Sequence, residues 1–167
     1  LLQYFVRILQ IGGNENADCF MGFGLFFSLW VVIVAKFSDI GALLIGKAIG
    51  RTKMAPSISP GKTIEGLIGG FAASAGIGAL LPWLFQEKFT DIVFFGDWIF
   101  TPGQGAIWGT LLALSAVIGD LIASVLKRLA SMKDSGGAIP GIGGLFDLTD
   151  SLILAAPTGY FILFLLR

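Results

Sequence analysis

Apolar residues in this chain run in long unbroken blocks, separated by short stretches rich in glycine and charge. A helix that crosses a bilayer needs about 20 mostly apolar residues. Four blocks meet that requirement: Cys19–Ala35, Ile64–Phe85, Gln104–Leu126 and Leu148–Leu166. The pattern predicts an all-α fold, a polytopic transmembrane bundle of about four spanning helices forming a single membrane-embedded domain over residues 1–167. Between the first two blocks, "SDIGALLIGKAIG" (Ser38–Gly50) is apolar but short and glycine-rich, which predicts a short broken or re-entrant helix sheltered by protein or a wet cavity. Leu1–Ile11 reads either as the end of a truncated helix or as an interfacial one, and "GGNENAD" after it reads as a polar turn. Small residues recur inside two blocks, Gly66, Gly69, Gly70, Ala73 and Gly76 in one, Gly105, Gly109 and Ala113 in the other. They predict close helix packing, within the chain or across a dimer.

Composition agrees with a membrane setting. Of 167 residues, 55% are hydrophobic and 13% charged, and the mean hydropathy of +0.86 is too high for a soluble domain of this size. The formal net charge is zero, so nothing points to nucleic acid, which is met by a basic excess. The single cysteine, Cys19, lies beside Phe20 and Met21 and reads as a small buried hydrophobe. With no histidine, metal binding and proton transfer fall to carboxylates, which shifts the expected metal toward magnesium. The chain starts at Leu1 without an initiator methionine or a signal segment, and further N-terminal helices are expected to precede it. Lys36, Lys47, Arg51, Lys53 and Lys62 precede the second block, and Lys127, Arg128 and Lys133 follow the third. Helix parity puts both groups on one side, opposite Glu87, Lys88, Asp91 and Asp97. The basic side is expected to be cytoplasmic.

The richest stretch in chemistry is "GDLIASVLKRLASMKDSGGAIPGIGGLFDLTDS", Gly119–Ser151. A carboxylate inside an apolar helix is costly, which makes Asp120 a functional candidate. Helical spacing puts Asp120, Ser124 and Lys127 along one face. Lys133, Asp134 and a glycine-rich loop with Gly143 and Gly144 follow, able to bring backbone N–H groups to phosphate oxygens, and Asp147 and Asp150 open the last helix. Carboxylates that hold divalent metal beside lysines that neutralise phosphate suit phosphoryl or nucleotidyl transfer. The plainer alternative is a buried ion pair of Asp120 with Lys127 or Arg128, the glycines making only a tight connection. A second cluster, "SPGKTIEG" (Ser59–Gly66), lacks the leading glycine of a phosphate loop, since Pro56 and Ser57 stand there. It reads as a turn in which Thr63 caps the second helix and Glu65 occupies its first turn, with Lys62 as a phosphate contact in the functional version.

Ser124, Lys127, Arg128, Lys133, Asp134, Ser135, Gly136, Pro140, Gly141, Gly143, Gly144, Asp147, Asp150 and Ser151 closely resemble the signature of phosphatidate cytidylyltransferases, also called CDP-diacylglycerol synthases. The stretch Ser38–Gly70 resembles the same family, with Asp39, Gly41, Gly46, Lys47, Gly50, Lys53, Ala55, Pro56, Ser59, Pro60, Gly61, Lys62, Thr63, Glu65 and Gly66 in place. Three positions depart: Ile142 stands where the family commonly has histidine, Leu148 where it has arginine, and Ala123 where it has glutamate. The resemblance implies a multi-pass protein of a bacterial plasma membrane that transfers a cytidylyl group from CTP to phosphatidic acid, giving CDP-diacylglycerol and pyrophosphate. It also tilts the oligomeric state toward a homodimer. On it, Asp120 and Asp147 are expected to bind magnesium, as a pair of ions, with Asp150 and Asp134 as additional ligands or supports. Lys127, Arg128 and Lys133 are expected to meet the phosphates, and Ser59, Lys62 and Ser124 to orient nucleotide or lipid phosphate. Alternatives are a cytidylyltransferase for another lipid phosphate, or a non-catalytic homologue or transporter, although the chain has no internal inverted repeat.

Overall fold

The structure, a computed structural model, describes residues 2–10, 17–56, 59–88, 94–95, 98–129 and 150–165. Among them are five helices: α1 (Leu2–Gln10), α2 (Ala17–Ile49), α3 (Ile64–Lys88), α4 (Pro102–Leu129) and α5 (Leu152–Leu165). Two short antiparallel hairpins lie between helices: β1 (Lys53–Ala55) with β2 (Ser59–Thr63), and β3 (Phe94–Phe95) with β4 (Trp98–Ile99). Three segments are long and apolar enough to cross a membrane, Gly24–Ile49, Ile64–Phe85 and Pro102–Leu129, while α5 is apolar but has 14 residues. The chain is an integral membrane protein of the helical-bundle kind.

One expectation is corrected. Ser38–Gly50 is no separate or broken element: it continues α2, which runs 33 residues, about 50 Å of helix. Its glycines serve packing, because a Cβ on Gly41 would lie 2.8 Å from the Gly69 carbonyl oxygen of α3. Gly66, Gly69 and Gly70 meet α2 in the same way, so these small residues are spent inside the chain. The N-terminal segment forms α1, which docks on α2 and α5 and buries Ile8.

The core gathers Phe27, Trp30, Val31 and Val34 of α2, Leu112 and Ala116 of α4, Ala155 and Leu163 of α5, and Phe100 ahead of α4. Large apolar side chains remain on the outside, among them Ile107, Leu111, Leu114, Ile118 and Ile122 along one face of α4, which suits a lipid surround. The start of α4 is closed by a reciprocal cap: Gln104 N–H donates to Thr101 Oγ1 at 3.3 Å, and Thr101 N–H to Gln104 Oε1 at 3.1 Å.

Pro82 lies inside α3 and offers no N–H to the Gly78 carbonyl one turn back. The Trp30 indole N–H takes its place, donating to that oxygen at 3.1 Å from a fully buried position. Trp30→Phe keeps most of the bulk and leaves the carbonyl unpaired. It is expected to cost about 1–3 kcal/mol, read as a lower thermal midpoint in detergent, and an unchanged midpoint would show that the bond is dispensable.

Candidate active site

The site follows from how α3 and α4 pack. They run antiparallel with Gly78 against Gly105 and Ser74 against Gly109, so the C-terminal half of α4 returns to the start of α3. There the β1–β2 hairpin hands the chain from α2 to α3. Thr63 Oγ1 accepts the Gly66 N–H at 3.1 Å and caps α3, as its place in the sequence predicts. The Glu65 carboxylate accepts the Thr52 N–H at 3.1 Å and the Thr52 hydroxyl at 2.9 Å, which pins the approach to the hairpin onto the first turn of α3. Lys62, one residue before the cap, is thereby turned toward α4.

Asp120 meets Lys62 there, Nζ to Oδ2 at 2.5 Å, with 24% and 27% of the two side chains exposed. An ion pair at Asp120 was one of the expectations, but the expected partners are corrected. Lys127 and Arg128 stand two turns along α4, an axial rise of about 10 Å, too far to close directly on Asp120. Lys127 instead lies 3.5 Å from Asp150 Oδ2, and Arg128 is exposed in the last turn. Asp150 comes close because Gly119 lets the first turn of α5 approach α4: a Cβ there would lie 3.1 Å from the Asp150 carbonyl oxygen. Burial pushes the Asp150 carboxyl above the usual carboxylate range, and the negative charge of Asp120 pushes it further.

A cavity of about 300 Å³ opens between α2, α3, α4 and the hairpin. Asp39, Ser59, Lys62, Thr63 and Asp120 form its polar part, and Ala42, Leu43, Met54, Leu67 and Val117 its apolar walls. Of the residues expected to act, Ser59, Lys62 and Asp120 line this cavity, and Lys127 and Asp150 pair beside Asp120. Ser124 is half-buried on α4. Ala123, at one of the departures from the resembling family, is fully buried. Lys133, Asp134, Gly143, Gly144 and Asp147, and with them Ile142 and Leu148, lie outside the described residues.

Three participants were named in the sequence without a role at the site: Lys36 among the basic residues that set orientation, and Asp39 and Ser151 among the positions that resemble the family. Lys36 Nζ donates to Ser151 Oγ at 2.9 Å and stands 3.6 Å from Asp39 Oδ2. Ser151 is fully buried, and its hydroxyl neighbours and interacts with the Asp39 carboxylate. The signal was available: charged residues inside an apolar helix, the argument applied to Asp120, single out Lys36 and Asp39 equally.

Among the described residues, no group of three or more acidic, histidine or cysteine side chains gathers to hold a metal ion. Asp120 on α4 and Asp150 in the turn before α5 carry hard oxygen donors of the type magnesium takes, close enough for one charge to act on the other.

Comparison with known proteins shows the family. The chain is 40% identical over 129 residues to the phosphatidate cytidylyltransferase of Synechocystis sp., covering 77% of this chain and 40% of that protein. It is 41% identical over 144 residues to that of Haemophilus influenzae, covering 86% and 48%, and 33% identical over 160 residues to that of Bacillus subtilis, covering 96% and 52%. The chain thus spans about half the length of these relatives or less. Residues 14–166 match the cytidylyltransferase family as a whole, and with that match the chain belongs to the cytidylyltransferase family.

Proposed function

We propose that this chain carries the catalytic site of a phosphatidate cytidylyltransferase, which transfers the cytidylyl group of CTP to phosphatidic acid and releases pyrophosphate. The observation that carries the reading is the pairing of Lys62 with Asp120 and of Lys127 with Asp150, two carboxylates and two ammonium groups brought side by side from α4, the β1–β2 hairpin and the turn before α5.

In the reaction an oxygen of the lipid phosphate attacks the α-phosphorus of CTP. A new P–O bond forms, the bond from the α-phosphorus to the bridging oxygen breaks, and pyrophosphate leaves with that oxygen. The attacking phosphate is already an anion, so no strong base is required, and the absence of histidine from the chain is no obstacle. The work is alignment and charge neutralisation. Asp120 and Asp150, with Asp147 from the resemblance, would hold the divalent ions. When bound, magnesium would supply neutralisation of phosphate charge. Lys62 and Lys127 face the phosphates, and Arg128, Lys133, Asp134, Gly143 and Gly144 belong to the same assignment through the resemblance. The apolar wall of Leu43, Leu67 and Val117 lets acyl chains stay in lipid while the phosphate reaches Lys62 and Ser59.

The site lies at the helix ends rich in lysine and arginine, Lys47, Arg51, Lys53, Lys127 and Arg128, which supports a site facing the cytoplasm of a bacterial plasma membrane. The expected homodimer draws no support from the glycine faces of α2 and α3, which are spent inside the chain. The purified protein in detergent, given magnesium, CTP and phosphatidic acid, is expected to form CDP-diacylglycerol, and to form none when either substrate is withheld. A folded preparation that makes no product would overturn the reading. A parallel arm with an ether-linked phosphatidate reads the breadth of the lipid site.

A further inference from the structure

Lys36 and Asp39 stand within the apolar run of α2, where a charge is costly unless it is used. Their contact at 3.6 Å leaves 34% and 37% of the side chains exposed, so mutual neutralisation does not account for their placement. What they share is the fully buried Ser151. A hydroxyl has one proton: Ser151 Oγ accepts from Lys36 at 2.9 Å, and its own proton is left for the neighbouring Asp39 carboxylate, with which it interacts. The backbone N–H of the same residue donates to Asp150 Oδ1 at 2.7 Å, while Asp150 Oδ2 faces Lys127 at 3.5 Å. The direction of the Asp150 carboxylate is thereby tied to a residue that α2 holds in place.

We propose that Lys36 and Asp39 of α2 are positioning residues, which act through the buried Ser151 hydroxyl to set the Asp150 carboxylate for divalent-metal binding. The proposal rests on the reading of Asp150 as a metal ligand. Groups that orient a metal-binding side chain are worth about 10- to 100-fold in metal affinity. A simple staple between α2 and α5 would stabilise the bundle without acting through Asp150.

The test is Mn2+ binding by the protein in detergent, followed by electron paramagnetic resonance without CTP or lipid. Ser151→Ala, which removes one oxygen, is expected to weaken Mn2+ binding about tenfold, and Lys36→Met and Asp39→Asn likewise. In an Asp150→Asn background, adding Ser151→Ala is expected to change the affinity by less than about twofold, because the group it positions is already lost. Equal losses in both backgrounds would show a general structural effect and overturn the proposal, as would Mn2+ affinity unchanged in Ser151→Ala. Circular dichroism confirms that each variant is folded, and if Lys36→Met or Asp39→Asn is not, the Ser151 cycle decides alone. A folded wild-type protein that binds no Mn2+ would overturn the metal-site reading and this proposal with it, an outcome distinct from variants that match a binding wild type.

Discussion

Asp120→Asn is expected to lower CTP-dependent formation of CDP-diacylglycerol by about 100-fold or more, the scale seen when a group that stabilises transition-state charge is removed. Two effects have to be separated. Asp120 is a proposed metal ligand, and it is also the partner of Lys62, whose Nζ is buried without a well-formed hydrogen bond to any other group among the described residues. Neutralising Asp120 removes the carboxylate in direct contact with that ammonium group and leaves the more distant Asp39 as its acidic neighbour in the cavity. Breaking a fully buried pair from one side costs about 3–5 kcal/mol, and here the cost is smaller because about a quarter of each side chain is exposed. The double variant Lys62→Met with Asp120→Asn removes both charges, so its thermal midpoint is expected to recover toward wild type while activity stays lost. Activity returning with stability would sink the catalytic assignment of both residues. Retention of activity in Asp120→Asn itself would do the same for the metal site.

A substitution at Gly105 is expected to be the most damaging to the fold. A Cβ there would overlap the Gly78 carbonyl oxygen, and one at Gly109 would lie 2.7 Å from the Ser74 carbonyl oxygen. Backbone cannot step aside as a flexible side chain can, so α3 and α4 would have to move apart. Overpacking of this kind costs about 1–3 kcal/mol, occasionally more, and in lipid such close contact is itself what holds helices together. The separation would also draw Asp120 away from Lys62. Gly105→Leu is therefore expected to lose both its cooperative thermal transition and its activity. Gly76, in α3, makes the contrast: a Cβ there meets nothing within 4 Å. Gly76→Ala is expected to be neutral or to gain up to about 1 kcal/mol from helix propensity. Equal behaviour of the two variants would show that the glycine contact does not set the helix spacing.

Much of the architecture could be read along the chain. Apolar blocks as long as a bilayer is thick located α3 and α4 to within a few residues, because burying backbone in lipid leaves helix as the open choice. The same reasoning failed at Ser38–Gly50, where glycines suggested a break. Gly41 is instead the point at which α3 comes against α2, a fact about the partner helix that local propensity does not contain. Asp120 was legible as a costly charge, and Lys62 and Thr63 as the punctuation ahead of a helix.

What the sequence determined by itself is the inventory: helices set by hydropathy, the sites of their caps, and a set of carboxylates and lysines without histidine, fit for phosphate chemistry. Which of those charges meet was decided only by the tertiary structure. Lys62 lies 58 positions from Asp120, and Lys36 lies 115 from Ser151. The antiparallel return of α4 along α3 and the approach of α5 at Gly119 join them. Those crossings are fixed by how closely two backbones can approach at glycine, a property of pairs of helices and not of either one alone.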